Sequence, residues 1–143
     1  MIAVDTNILA RFYVDDPGDP EAARQRPLAR EVMEFAAVHV PVTVILELEW
    51  VLRAFYRFTN DRAMSVFQHL LGLPNVTVEE WPRVLDAIQL CERGLDFADA
   101  LHLAGSRDCQ AFYTFDERRF ARRERARDKA QDKHKLPPVR LPG

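Results

Sequence analysis

Met1-Ile-Ala-Val-Asp-Thr-Asn-Ile-Leu-Ala-Arg-Phe-Tyr13 is the stretch whose reading decides the fold. Met1–Val4 is short, apolar and partly β-branched, the pattern of a buried strand. Asp5-Thr6-Asn7 then offers three good helix N-cap types in a row, and a helix starts over Ile8–Tyr13. The same alternation continues outward. Val38–Val42, Asn75–Val78 and Ala111–Phe115 read as further short strands. Between them lie helical patterns: one with Pro27 at its first turn and Leu28, Val32, Phe35 and Ala36 as its apolar stripe, and one from Thr43 to about Arg57. Three more run from Asn60 through Leu71 with Gly72 as the stop, from Pro82 to Gly94, and from Asp96 to about Arg107. Asp15–Pro20 is a turn cluster. After residue 118 the tail starts helical, and Pro137-Pro138 forces an extended end. Short strands alternating with longer helices predict an α/β domain with a mostly parallel sheet. In such sheets ligands bind at the carboxyl ends of the strands.

The totals agree. The chain has 143 residues, 48% hydrophobic and 29% charged, enough for one domain with a substantial core over residues 1–143. No apolar run approaches the roughly 18 residues that span a bilayer, and no secretory signal is visible. Cys91 and Cys109 stand in no metal-binding spacing, so a disulfide framework or zinc site is not expected and the setting is the cytoplasm. Net charge is −2 but unevenly spread. Residues 118–140 carry ten Lys and Arg against three acids, an excess of seven positive charges; residues 1–117 carry an excess of nine negative ones. An acidic body with a basic tail suits a polyanion bound near a cation-dependent site, although a solvated helix has the same composition.

Four acids interrupt or close segments that otherwise read as buried: Asp5, Glu47, Asp99 and Asp116. Removing a carboxylate's hydration costs several kcal/mol unless something pairs with it. Four such groups point to one shared counter-charge, and no Lys or Arg lies beside all four in sequence. Asp5 and Asp116 each stand at the carboxyl end of a strand. Thr6 and Asn7 can cap the first helix in place of Asp5, which frees that carboxylate. On helical spacing Glu47 shares a face with Val44, Val51 and Ala54 and is expected to turn inward, while Glu49 pairs with Arg53 at i+4. Asp96 suits an N-cap and Asp99 lies one turn on among Ala98, Ala100 and Ala104. His102 is left outside the site. Thr114 and Glu117 flank Asp116. Hard carboxylate oxygens select Mg²⁺ or Mn²⁺ over Zn²⁺. Mg²⁺ keeps several waters and takes one or two carboxylates directly, so some of these acids act through water. A cation held this way activates water and neutralises phosphoryl oxygens, and hydrolysis of a nucleic-acid backbone follows. Arg118, Arg119, Arg122 and Arg123 are then candidates for neighbouring phosphates.

Val4-Asp-Thr-Asn7, Glu47-Leu-Glu-Trp-Val-Leu-Arg53, Asp96-Phe-Ala-Asp-Ala-Leu-His-Leu-Ala104 and Thr114-Phe-Asp116 together resemble a PIN-domain ribonuclease. Within that family the chain most resembles VapC-type toxins of type II toxin–antitoxin pairs, in order from Met1 to about Phe120. The resemblance implies a three-layer α/β/α fold with a short central sheet, Mg²⁺-dependent endoribonuclease activity with tRNA the commonest target, and a homodimer. It also implies a cognate antitoxin over the acidic site. Asp5, Glu47, Asp99 and Asp116 match the family's acidic positions, with Asp5, Asp99 and Asp116 toward the metal. Thr6 and Asn7 match its Asp-Thr-Asn start, while Asp96, Thr114 and Glu117 are read from their own positions as near substrate or behind the ligands. The long basic stretch after Asp116 departs from the pattern. Other readings are a PIN fold that binds RNA or protein without cleaving, and a haloacid-dehalogenase-type phosphotransferase. The latter wants a second acid where Asn7 stands and a Lys near the acids, whereas Lys129, Lys133 and Lys135 all lie in the tail.

Overall fold

Apolar β-branched residues set the first sheet. The computed structural model describes residues 1–118, 121–126 and 136–143. Its backbone forms two compact units, Met1–Trp81 and Pro82–Gly143.

In the first unit, strand β1 (Ile2–Ala3), β2 (Val38–Val40) and β3 (Val76–Val78) form a parallel sheet in the order β1-β2-β3. Ile2 pairs with Val38 and Val38 with Val76. Parallel pairing requires crossover helices: α1 (Thr6–Tyr13) and α2 (Pro20–Met33) between β1 and β2, then α3 (Val42–Trp50) and α4 (Asn60–Gly72) between β2 and β3. Leu9, Val38, Val40, Ile45, Leu48, Leu52, Phe67 and Leu70 are fully buried and form the core.

The sequence places α2 too late. Asp19 is its cap, accepting from the Glu21 and Ala22 N–H groups at 3.0 and 3.3 Å, and Pro20 takes the first position, where a missing N–H costs nothing. Pro27 lies inside the helix. The buried face is Ala22, Ala29 and Met33, while Leu28 and Phe35 are half exposed. The side-chain amide of Asn75 donates to the Met33 and Phe35 carbonyls at 2.9 Å and closes this helix's far end.

α3 also starts differently from its sequence reading. Its N-cap is Pro41, which cannot cap with a side chain. Glu79, just past β3, supplies the missing acceptor: its Oε1 takes the Val42 N–H at 3.0 Å. After Trp50 the helix widens into a π-helical turn, Val51–Phe55, with the Tyr56 N–H bonded to the Val51 carbonyl at 3.1 Å.

In the second unit, α5 (Trp81–Glu92) ends at Gly94, whose φ of 103° is the left-handed conformation that glycine adopts freely. α6 (Phe97–Ala104) follows. Arg83 Nε donates to the Leu101 carbonyl at 2.8 Å. Gly105 makes room for that contact, since a Cβ there would lie 2.5 Å from the Arg83 guanidinium. Strand β4 (Phe112–Tyr113) pairs in parallel with β5 (Val139–Arg140), where the extended end after Pro138 returns. Residues 117–118 and 121–126 are helical. Val84, Ile88, Leu90, Phe97, Leu103 and Val139 fill the core of this unit.

Glu79→Ala removes the side-chain acceptor that takes the Val42 N–H at the start of α3. It is expected to lower stability by about 1 kcal/mol, with Glu79→Gln losing less, as read from urea unfolding followed by circular dichroism.

Candidate functional site

Asp5 stands at the carboxyl end of β1 and heads α1. Its Oδ1 accepts from the Ile8 N–H at 3.1 Å, so Asp5 itself is the cap. The expectation that Thr6 or Asn7 would relieve it is corrected: both lie inside the helix, as its first two residues. Asp5 remains exposed, as does Asn7. Capping fixes one oxygen, and the carboxylate sits over the positive end of the α1 dipole. Thr6 is buried, and its hydroxyl has no hydrogen-bond partner among the described residues.

Glu47 is exposed on α3, which corrects its inward reading. The buried stripe is Ile45, Leu48, Leu52 and Glu49. Val44 and Val51 are only half buried, and Ala54 is exposed on the π turn, where the 100° stepping behind that reading no longer holds. Glu49 is 6% exposed, and its Oε1 accepts from Arg53 Nε at 2.8 Å, the i+4 pair the sequence indicates.

Asp5 and Asn7 also line a cavity of about 540 Å³ within the first unit, together with Ile8, Arg11, Gln25, Leu28, Ala29 and Val32. Arg11 was not read as functional from the sequence. The signal was available, since it lies at i+4 from Asn7 and therefore on the same helix face.

In the second unit, Asp99 is buried on the first turn of α6. Its counter-charge is Arg123, 24 residues on and itself 5% exposed, whose Nη2 donates to Asp99 Oδ1 at 2.5 Å. Arg123 also lies 5.3 Å from the centre of the Phe112 ring, a cation–π distance. Its Nε and Nη1 have no hydrogen-bond partner among the described residues. The reading of Arg123 as a contact to an RNA backbone is therefore corrected: it is an interior cation. Arg118 and Arg122 are exposed, Arg122 lying 3.7 Å from Asp96, and Arg119 lies outside the described residues. Asp96 is the N-cap of α6 by position but makes no capping bond through its side chain.

Asp116 follows β4 and is half buried, and its N–H donates to Thr114 Oγ1 at 3.1 Å. Glu117 and His102 are exposed. Of the four acids, Asp99 is the one removed from water, while Asp5 and Glu47 keep their hydration. Among the described residues no group of three or more His, Cys, Asp or Glu is gathered as a metal cage. The donor chemistry still suits a hard cation, because every candidate ligand is a carboxylate and none is a thiolate.

Residues 2–126 match the family described as PIN domain. The chain belongs to the PIN-domain family. Parallel strands alternating with helices are consistent with the three-layer α/β/α PIN fold expected from the sequence. PIN domains are of nuclease type, and the match runs from β1 through Arg123 to Ala126, so the Asp99–Arg123 pair falls inside the PIN region. A comparison with curated proteins returns no match. No helix among the described residues is long and apolar enough to cross a membrane.

Arg123→Met leaves Asp99 buried without its cation and is expected to cost about 3 kcal/mol. Adding Asp99→Asn to the same chain recovers most of that loss, since the buried charge is gone. Chemical denaturation of the two single variants and the double variant measures the coupling. Asp5→Ala costs about 1 kcal/mol while Asp5→Asn, an equally good cap, leaves stability near wild type in the same assay.

Proposed function

We propose that this PIN domain is a metal-dependent endoribonuclease and the toxin of a toxin–antitoxin pair, acting in the cytoplasm as a homodimer with RNA, tRNA foremost, as substrate. The observation that carries the reading is Asp5: an exposed carboxylate at the carboxyl end of a parallel strand, held over a helix N-terminus, at a position matching the family's first acid. Membership of a nuclease-type family supports it.

Asp5, Asp99 and Asp116 are the residues that would hold Mg²⁺ or Mn²⁺. When bound, such an ion supplies an acidified water and neutralises phosphoryl charge. The chain's own residues prepare for this. The Ile8 N–H fixes Asp5 in one orientation. Arg123 holds one oxygen of Asp99 and sets a positive charge beside that buried carboxylate. Thr114 steadies the backbone at Asp116. Glu47, exposed and hydrated, accepts hydrogen bonds from water or from substrate hydroxyls. Asn7 offers an amide beside Asp5, and Asp96 and Glu117 add negative charge near the ligands on their own segments. An antitoxin segment with a basic side chain would satisfy the same acids.

A second reading, a PIN fold that binds RNA or protein without cutting, is favoured by one observation: Asp99 already has a full positive charge against it. A cleavage assay separates the two. Purified protein with Mg²⁺ is expected to cut RNA, and folded Asp5→Asn or Asp99→Asn is expected to lose at least about a hundredfold in rate, an effect on the scale of one lost charge-stabilising group. The same substitutions should relieve growth arrest on expression. Full activity in folded Asp99→Asn would remove the site assignment. Neutralising Arg118 and Arg122 together should weaken RNA binding and reduce the slope of log K against log salt by about 1.4, for two contacts to a single strand; an unchanged slope makes that face merely solvated.

A further inference from the structure

Arg11 is the guanidinium in the first unit that the structure holds in place without cancelling its charge. Its Nε donates to Gln25 Oε1 at 3.0 Å and its Nη1 to the Tyr56 hydroxyl at 2.9 Å. Both partners are neutral. Several other anchored arginines face carboxylates instead: Arg53 faces Glu49, Arg107 faces Asp86 and Arg123 faces Asp99. Among the described residues Arg11 has no ion pair, so its full charge is available. It lines the cavity of about 540 Å³ that also contains Asp5 and Asn7, a volume within the range of ligand-binding clefts.

The anchoring is specific. A planar guanidinium has five N–H donors in a fixed fork. Two are spent on partners from α2 and from the end of the π turn, which fixes the plane of the group. The donors that remain are those it can offer to the cavity, and a fixed fork with open donors matches the oxygens of a phosphodiester. Holding it in advance also removes the rotamer entropy that a long exposed side chain would lose on binding. Arg11 lies six residues beyond Asp5, about 9 Å along the helix axis at 1.5 Å per residue. That offset suits a phosphate neighbouring the one beside Asp5.

We infer that Arg11, clamped by Gln25 and Tyr56, is a substrate-binding residue that takes a backbone phosphate of single-stranded RNA next to the position of cleavage. The inference rests on the nuclease reading only for the word cleavage; the binding itself is testable without it.

The test uses the full chain and a single-stranded RNA 12-mer in EDTA, so that nothing is cut. Arg11→Gln is expected to weaken binding about tenfold at low salt and to make the slope of log K against log salt shallower by about 0.7, the value for one lost contact to a single strand. Arg11→Lys keeps the charge and is expected to restore the slope while binding less tightly, since an ammonium cannot reproduce the fork. A purely structural role for Arg11 would move stability and leave the slope alone. In the wild-type protein the Arg11 Nε–H resonance, assigned by its loss in Arg11→Lys, should shift as the RNA is added; this reading stands even if Arg11→Gln fails to fold. An unchanged slope in folded Arg11→Gln, a slope in Arg11→Lys equal to that of Arg11→Gln, an unmoved resonance, or no RNA binding by the wild type would each overturn the inference. Binding that behaves as expected in a protein that cuts no RNA would instead remove the nuclease reading and leave Arg11 as an RNA contact.

Discussion

A carboxylate taken out of water must be given a positive partner, and Asp99 with Arg123 is where this chain meets that constraint most severely. Both side chains are almost wholly buried. The pair joins the first turn of α6 to the helical residues 121–126, and Phe112 of β4 contributes its ring face to the same cation. Three segments of the second unit are therefore tied through one charge. Arg123 is also over-supplied with donors, since its buried Nε and Nη1 have no partner among the described residues. A buried ion pair of this kind is weak support for stability, because desolvating two charges offsets most of their attraction. Its cost is better understood as the expense of placing an acid inside the protein.

The two units meet the same need for placed acids by opposite means. In the first, Asp5 and Glu47 stay in water, and Asp5 is fixed by a backbone N–H and a helix dipole rather than by a counter-ion. In the second, Asp99 is sealed in and neutralised by an arginine. Asp116 lies between these extremes, half exposed behind a strand, with its backbone fixed by the Thr114 hydroxyl. A PIN domain thus holds its acids through caps, dipoles and an internal cation, and each device has a different sensitivity to substitution.

Much of this architecture was legible in the residues. β1 to β4 each lie within a short run of apolar, β-branched or aromatic residues, the composition that favours strands. Gly94 and the pairing of Glu49 with Arg53 followed from local rules. What was hidden depends on long sequence separation. Arg123 meets Asp99 from 24 residues away, Glu79 caps α3 from 37 residues away, and Arg11 reaches Tyr56 across 45. The facing of Glu47 failed for a different reason: regular 100° stepping was carried through a segment that is not a regular α-helix. Asp19 sits inside a turn cluster, and Pro27 offers a competing helix start, so local rules do not single out the cap.

That irregular segment has a consequence for how the chain tolerates change in length. A π-helical turn is an α-helix carrying one residue more than its hydrogen bonding needs. Deleting a single residue between Val51 and Phe55 would let the ladder close as an ordinary helix, at little local cost. Tyr56, directly after it, would then be out of phase by about 100°. The Tyr56 hydroxyl would swing away from α1, and Arg11 would lose its second anchor. The extra residue acts as a phase adjuster, setting the angle at which one part of the chain presents a ring to another.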